Sequence, residues 1–198
     1  MRPKQIPDEE VIAAARRVFL AEGPQASIAT VAEAVGLSQA ALFKRFGSKA
    51  ELMFLALRPP HPPPFLGAID AGPTDAPLPD QLRTLAEEVY RFFLGVVPCM
   101  MVIRSAGLHP SDILKAQQTP GPVLAVRHLS AWFDRAIASG RMRPLNSESA
   151  AAAFLGTLQM RAFWNYVSSG TFTRNTDDAY LDEVVGLLWR GMAPEASP

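Results

Sequence analysis

The 198 residues are 48% hydrophobic and 19% charged, enough apolar material to bury a core and a composition that argues against a disordered chain. Lys+Arg and Asp+Glu number 19 each, so no global field attracts nucleic acid or an anionic membrane, and such binding needs a local patch. The single cysteine, Cys99, excludes an intramolecular disulfide framework, no apolar leader opens the chain, and the longest apolar stretch, Phe92–Ile103, is interrupted by Pro98 and too short to cross a bilayer; the expectation is a soluble, cytoplasmic protein.

The N-terminal residues predict short helices with clear punctuation. Asp8 is placed to cap the first, with Glu9 and Glu10 in its first turn. Val11, Ala15, Val18 and Phe19 form its apolar stripe, and Gly23-Pro24 stops it. Ser27 is placed to cap a second helix whose inner face is Val31, Ala32 and Val35 and which ends at Gly36. Ser38 caps a very short third helix carrying Leu42 and Phe46 inward, ended by Gly47. The run Ser48-Lys49-Ala50-Glu51 is a capping box that opens a fourth helix with Leu52, Leu55 and Ala56. Arg58-Pro59 stops that helix.

Eight of the 18 prolines fall between Pro59 and Pro79. Proline removes a backbone donor and fixes φ, so this segment reads as an extended linker or covering loop without regular structure. A PxxP ligand for an SH3-like module is the sharper but rarer alternative. The segment divides the chain into residues 1–58, 59–79 and 80–198. Beyond it the helical pattern resumes over Asp80–Val97, with Pro98 starting a new helix to about Ala106. Ser111–Gln118 is a possible helix inside a Gly/Pro-marked break. Val123–Ser139 follows, ended by Gly140. Ser147 is placed to cap a long helix to about Ser169, and Asp177 or Asp178 starts the last helix. The expected fold class is all-α, with a small three-helix N-terminal domain and a larger helical C-terminal domain.

Two helices meeting across Gly36-Leu37-Ser38 have helix-turn-helix spacing. In that motif the N-terminal residues of the second helix enter the major groove. Gln39 is long enough to read a base edge, with adenine its natural partner. Ala40 and Ala41 permit close approach to a thymine methyl. Lys44, Arg45 and Lys49 fall within six residues that contain no acid, and they suit phosphate contacts. An ordinary helical hairpin with a solvated basic face fits the same spacing.

In the C-terminal part the helix from Ser147 is apolar nearly all round, as expected of a central or interface helix. Its stripe Ala151, Leu155, Leu158 and Ala162, with Leu181, Val184, Val185 and Leu188 of the last helix, is the candidate dimer interface of a two-fold bundle. Phe93, Met100, Trp132 and Phe163 are large or aromatic and mark a candidate apolar pocket, with Arg104, His128 and Gln159 as its polar groups. Cys99 has no adjacent base or cation in sequence and reads as a buried, inert thiol.

The run TVAEAVGLSQAALFKRFGSKAELMFLAL resembles the DNA-binding domain of TetR-family transcriptional repressors. The matching features are Val31-Ala32, Gly36-Leu37-Ser38, Leu42-Phe43, Phe46 and Ser48-Lys49 followed by Leu52. The resemblance implies that Ser27 caps its helix and touches phosphate, and that Ser38 begins a recognition helix on which Gln39, Ala40 and Ala41 face bases. Phe43 stands where the family usually has a tyrosine, Arg45 where it often has histidine, and Ala41 where it often has threonine or serine. Two hydroxyls that could bond phosphate or base are therefore missing, and Arg45 is expected to recover one contact by charge. The resemblance also implies dimerisation through the last two helices and a ligand-binding C-terminal half. It departs from the family at Pro59-Pro60, which cuts the fourth helix short.

No HExxH, CxxC, GxSxG, P-loop or GxGxxG occurs, and the three histidines lie on different elements, so neither catalysis nor a cofactor is expected. The expected partners are a double-stranded DNA operator, a second copy of the chain and a small hydrophobic or aromatic effector, with no membrane. The alternative is a dimeric helical adaptor that does not bind DNA.

Overall fold

A computed structural model describes residues 6–109, 118–171 and 174–194. Among these residues the regular structure is helical: α1 (Asp8–Glu22), a 3₁₀ turn (Gly23–Gln25), α2 (Ile28–Val35), α3 (Gln39–Phe46), α4 (Lys49–Leu57), α5 (Leu66–Asp70), α6 (Leu78–Ser105), α7 (Gly121–Ala138), α8 (Ser147–Ser168) and α9 (Asp177–Met192). The expected span Ser111–Gln118 lies, up to Gln117, outside the described residues. The all-α expectation holds. Among the described residues no helix is long and apolar enough to cross a membrane.

The chain forms two compact units. The first takes the described residues up to Pro59 together with the stretch from Pro98 to His109. Its core joins Val11, Ala15 and Phe19 of α1, Val31 and Ala32 of α2, Leu42 and Phe46 of α3, and Leu52, Met53, Ala56 and Leu57 of α4. Cys99, Val102 and Ile103 from the end of α6 complete it. The sequence division assigns those three residues to 80–198, because no local pattern reveals that one end of a helix packs with another unit.

The short helices are held by their caps. Ser27 Oγ accepts from Thr30 N–H at 3.0 Å, and Ser38 Oγ accepts from Ala41 N–H at 3.2 Å. Ser48 Oγ accepts from Glu51 N–H while the Glu51 carboxylate accepts from Ser48 N–H, the full capping box. Gly36 ends α2 at φ +66° in the left-handed region, where a side chain is strained. Leu37 N–H then reaches the Ala32 carbonyl at 2.9 Å, closing a Schellman turn.

The helix α6 runs unbroken through Pro98, where the sequence predicts a new helix. A missing donor and the ring clash cost about 3 kcal/mol. Val97, Cys99, Val102 and Ile103 are all buried around the proline, and burying such side chains is worth about 1.5–3 kcal/mol each. That burial outweighs the break. Two caps are also corrected: Pro7, not Asp8, precedes α1, and Asn146 Oδ1 caps α8 by accepting from Ser149 N–H, while Ser147 Oγ donates to Asp134. The last helix, α9, starts at Asp177 as expected, with Thr176 as its cap.

The second unit holds residues from Pro60 to Val97 and from Gln118 onward. Its proline-rich segment is not featureless. The proline-free stretch after Pro64 winds into α5, whose Leu66 and Ile69 are buried beside Phe65. Side chains from α6, α7 and the turn after α7 fasten the segment: Arg135 donates to the Ile69 carbonyl at 3.1 Å, Arg141 to the Thr74 and Ala76 carbonyls, and Gln81 Oε1 accepts from Thr74 N–H at 2.8 Å. Helix α7 packs on α5 and α8, and α9 packs on α8.

Candidate nucleic-acid interface

Helix α3 turns one face to the core through Leu42 and Phe46 and another to solvent. Gln39, Ala40, Phe43 and Lys44 are exposed at i, i+1, i+4 and i+5, so they share one surface. Ala41 is half-buried, and Phe43 remains 46% exposed. The Ser38 cap fixes the first turn, so Gln39 and Ala40 stand on ordered backbone. A helix with a long amide and two small side chains at its leading end, held on a three-helix core, can enter a major groove and read base edges.

The basic cluster is divided by the structure. Lys44 is exposed and, among the described residues, makes no ion pair. Charge alone predicts a phosphate contact for Arg45, but its Nε donates to Asp8 Oδ1 at 2.9 Å, its Nη2 bonds the same oxygen, and Nη2 also donates to the Ile6 carbonyl at 2.9 Å. The Arg45 guanidinium lies 5.3 Å from the Phe46 ring centroid. Lys49 donates from Nζ to the Pro24 carbonyl at 2.7 Å. Two of the three expected phosphate ligands are thus tied within the unit. Ser27 is exposed, with its oxygen in the cap and 3.0 Å from Thr30 Oγ1. Sequence reasoning missed the role of Asp8, since nothing local links residue 8 to residue 45.

The candidate pocket residues are divided between the two units. Met100 packs against the core of the first unit, and Arg104 lies 3.1 Å from His109 Nδ1 there. The other five lie in the second unit. There Trp132 is 1% exposed and meets Phe133 edge-on, Gln159 is exposed, and His128 Nδ1 faces Asp70 Oδ1. Phe93 belongs to an aromatic chain, with Phe65–Phe92 centroids 5.1 Å apart and Phe92–Phe93 5.6 Å. Phe163 is half-buried beside Trp164.

The candidate dimer stripe lies largely inside the single chain. Ala151, Leu155, Leu158, Ala162, Leu181, Val184 and Val185 are buried within the single chain, leaving only Leu188 half-buried. They are the core between α8, α9 and their neighbours. The outward side of α8 is also apolar: Met160 is 51% exposed, Trp164 43% and Val167 48%, while Leu187 of α9 is 62% exposed.

A polar cluster holds the start of α9. Arg161, buried in α8, donates to Asp177 and to the Asn175 carbonyl, and stacks 4.8 Å from the Tyr180 ring centroid. Asn165 donates to both Asp177 and the Tyr90 hydroxyl. Burial alone would raise the Asp177 pKa, but hydrogen bonds from Asn165, Tyr90 and Arg161 and the Arg161 charge hold it below its ordinary value. Burial, reinforced by Asp177, pushes Tyr90 up to about 12. Cys99 is fully buried; burial raises its thiol pKa, and Arg16 only partly opposes this. Among the described residues no group of three or more His, Cys, Asp and Glu is arranged to hold a metal.

Residues 11–56 match the family model for bacterial regulatory proteins of the tetR family, and residues 80–190 match the C-terminal domain of AefR-like transcriptional repressors. No curated protein matches the sequence. Among solved structures, the TetR-family regulator PfmR from Thermus thermophilus is 24% identical with a TM-score of 0.60, over 94% of this chain and 99% of that one. A TetR-family transcriptional regulator from Pseudomonas syringae pv. tomato is 19% identical with a TM-score of 0.62, over 98% and 99%. The flavonoid-responsive regulator FrrA is 21% identical with a TM-score of 0.57, over 95% and 97%.

Proposed function

We propose a function from the premise that the chain belongs to the TetR family of bacterial regulatory proteins, DNA-binding regulators of transcription: a homodimer that represses by holding a palindromic operator and lets go when a small hydrophobic or aromatic effector binds. The observation that carries this reading is the exposed leading end of α3, where Gln39 and Ala40 project from a turn locked by Ser38. A two-fold dimer would set two such helices about 34–36 Å apart, one turn of DNA.

The exposed apolar side of α8, with Met160, Trp164 and Val167, together with Leu187 of α9, supports dimerisation better than the buried stripe does. In a two-fold contact each of these residues meets the same patch on the partner. The aromatic chain Phe65–Phe92–Phe93 in the second unit supports an apolar effector. That FrrA is a flavonoid-responsive regulator makes planar aromatic compounds the first class to screen.

The test is selection of bound duplexes from a random pool, run on wild type and on the Gln39→Ala/Lys44→Ala variant. Enrichment of a palindrome by wild type alone is the expected result. A folded, dimeric wild type that enriches nothing at low salt would refute the reading and leave the helical adaptor.

A further inference from the structure

Arg45 lies on the recognition helix, where charge alone would assign it to a DNA phosphate. Its surroundings give it another task. The side chain is 28% exposed, and Nε and Nη2 are both occupied by acceptors of the same unit, the Asp8 carboxylate and the Ile6 carbonyl. Asp8 compensates the charge that a phosphate would otherwise take up. Asp8 itself sits in the first turn of α1 beside Glu9 and Glu10, where the helix dipole favours an anion. Breaking the pair would strand an acid near the DNA-facing helix.

The contact also spans the unit. It joins the last turn of α3 to the first turn of α1, 37 positions apart in sequence. Helix α3 has eight residues and buries only Leu42 and Phe46. Two buried side chains on one stripe fix the depth of such a helix better than its rotation about that stripe. A clasp at the far end, with Nε and Nη2 sharing Asp8 Oδ1 and Nη2 also on the Ile6 carbonyl, fixes the rotation, and with it the direction in which Gln39 and Ala40 point.

Resting on the DNA-binding reading above, we propose that the Arg45–Asp8 clasp is a positioning device that aims the recognition helix, and that Arg45 is not a phosphate ligand. Asp8 is thereby a determinant of DNA affinity without touching DNA.

The experiment measures binding of the full dimer to the selected operator by fluorescence anisotropy across a series of salt concentrations. The proteins are wild type, Asp8→Ala, Arg45→Ala, the double variant and the charge swap Asp8→Arg/Arg45→Asp. Circular dichroism verifies that each is folded. The expected result is that Asp8→Ala and Arg45→Ala weaken binding by the same factor, about three- to tenfold, as an exposed ion pair in each of two protomers supplies. The double variant is no weaker than either single one, the swap recovers affinity, and the salt dependence stays that of wild type. A phosphate ligand behaves differently: Asp8→Ala would tighten binding, Arg45→Ala would flatten the slope of log K against log salt by about 0.9 per protomer, and the swap would abolish binding. Any of these three overturns the proposal while leaving the operator reading intact. Failure of the wild type itself to bind a selected duplex overturns both.

Discussion

The Arg161–Asp177 pair allows a prediction whose sign is not obvious. Arg161 is 7% exposed and donates to Asp177 Oδ1 from Nε at 3.0 Å and from Nη2 at 2.9 Å. Asp177 keeps 42% of its side chain in solvent. Replacing Asp177 by alanine leaves a buried guanidinium with the Asn175 carbonyl, the Tyr180 ring and the Tyr90 hydroxyl as its remaining partners. Breaking a fully buried pair in this way costs about 3–5 kcal/mol; because water can enter where the half-exposed carboxylate was, about 2–3 kcal/mol is expected here. Replacing Arg161 by methionine leaves a carboxylate that water already reaches and that Asn165 still serves, with apolar packing retained, for about 1 kcal/mol. The expected order is Asp177→Ala worse than Arg161→Met, and the double variant close to Arg161→Met. For a chain of this size each kcal/mol moves Tm by about 2–4 °C, so thermal melts at fixed protein concentration separate the variants. The carboxyl titrates below its ordinary 3.8 in the folded chain. Its contribution is therefore present above that pH and lost as pH falls through the folded value, and the gap between wild type and Asp177→Ala should close under acid. A larger loss for Arg161→Met than for Asp177→Ala would refute the argument from stranded charge.

Other consequences can be checked with single variants. Tyr90, pushed to about 12 from an ordinary 10, resists ionisation that the unfolded chain undergoes; stability should fall as pH rises from 10 toward 12, and Tyr90→Phe should weaken that dependence in alkaline melts. Gly36→Ala forces a left-handed residue and costs about 1 kcal/mol. Gly47→Ala should cost more, because φ there is +76° and a Cβ would stand 2.2 Å from Glu51 Oε2, the oxygen that closes the capping box; equal denaturant midpoints for the two variants would contradict this. Met160→Glu places a charge from each protomer in the proposed two-fold contact. It should weaken the dimer by about 3 kcal/mol, more than a hundredfold, as read by sedimentation, while the monomer's helical content is unchanged.

The N-terminal unit was legible because its signals act over three or four residues. Ser27, Ser38 and Ser48 each cap the helix that directly follows, and Gly36 turns the chain by its own backbone freedom. The larger misreadings depend on residues far apart. Pro98 reads locally as a break, yet burial on either side carries α6 through it. Arg45 reads locally as a free cation, yet residue 8 holds it.

The proposed dimer face shows the limit most clearly. A helix with apolar residues nearly all round has no periodicity from which to choose a side, so Ala151, Leu155, Leu158 and Ala162 were as eligible as Met160, Trp164 and Val167. The physical distinction is in the neighbours. The first set, with two alanines, lies buried against elements of its own chain, where small side chains let helices approach closely. The second keeps large apolar side chains about half in water, and an apolar patch in water has free energy to gain from a partner. Which stripe is which follows from how α7 and α9 pack on α8, a property of the assembled fold and not of any window of sequence.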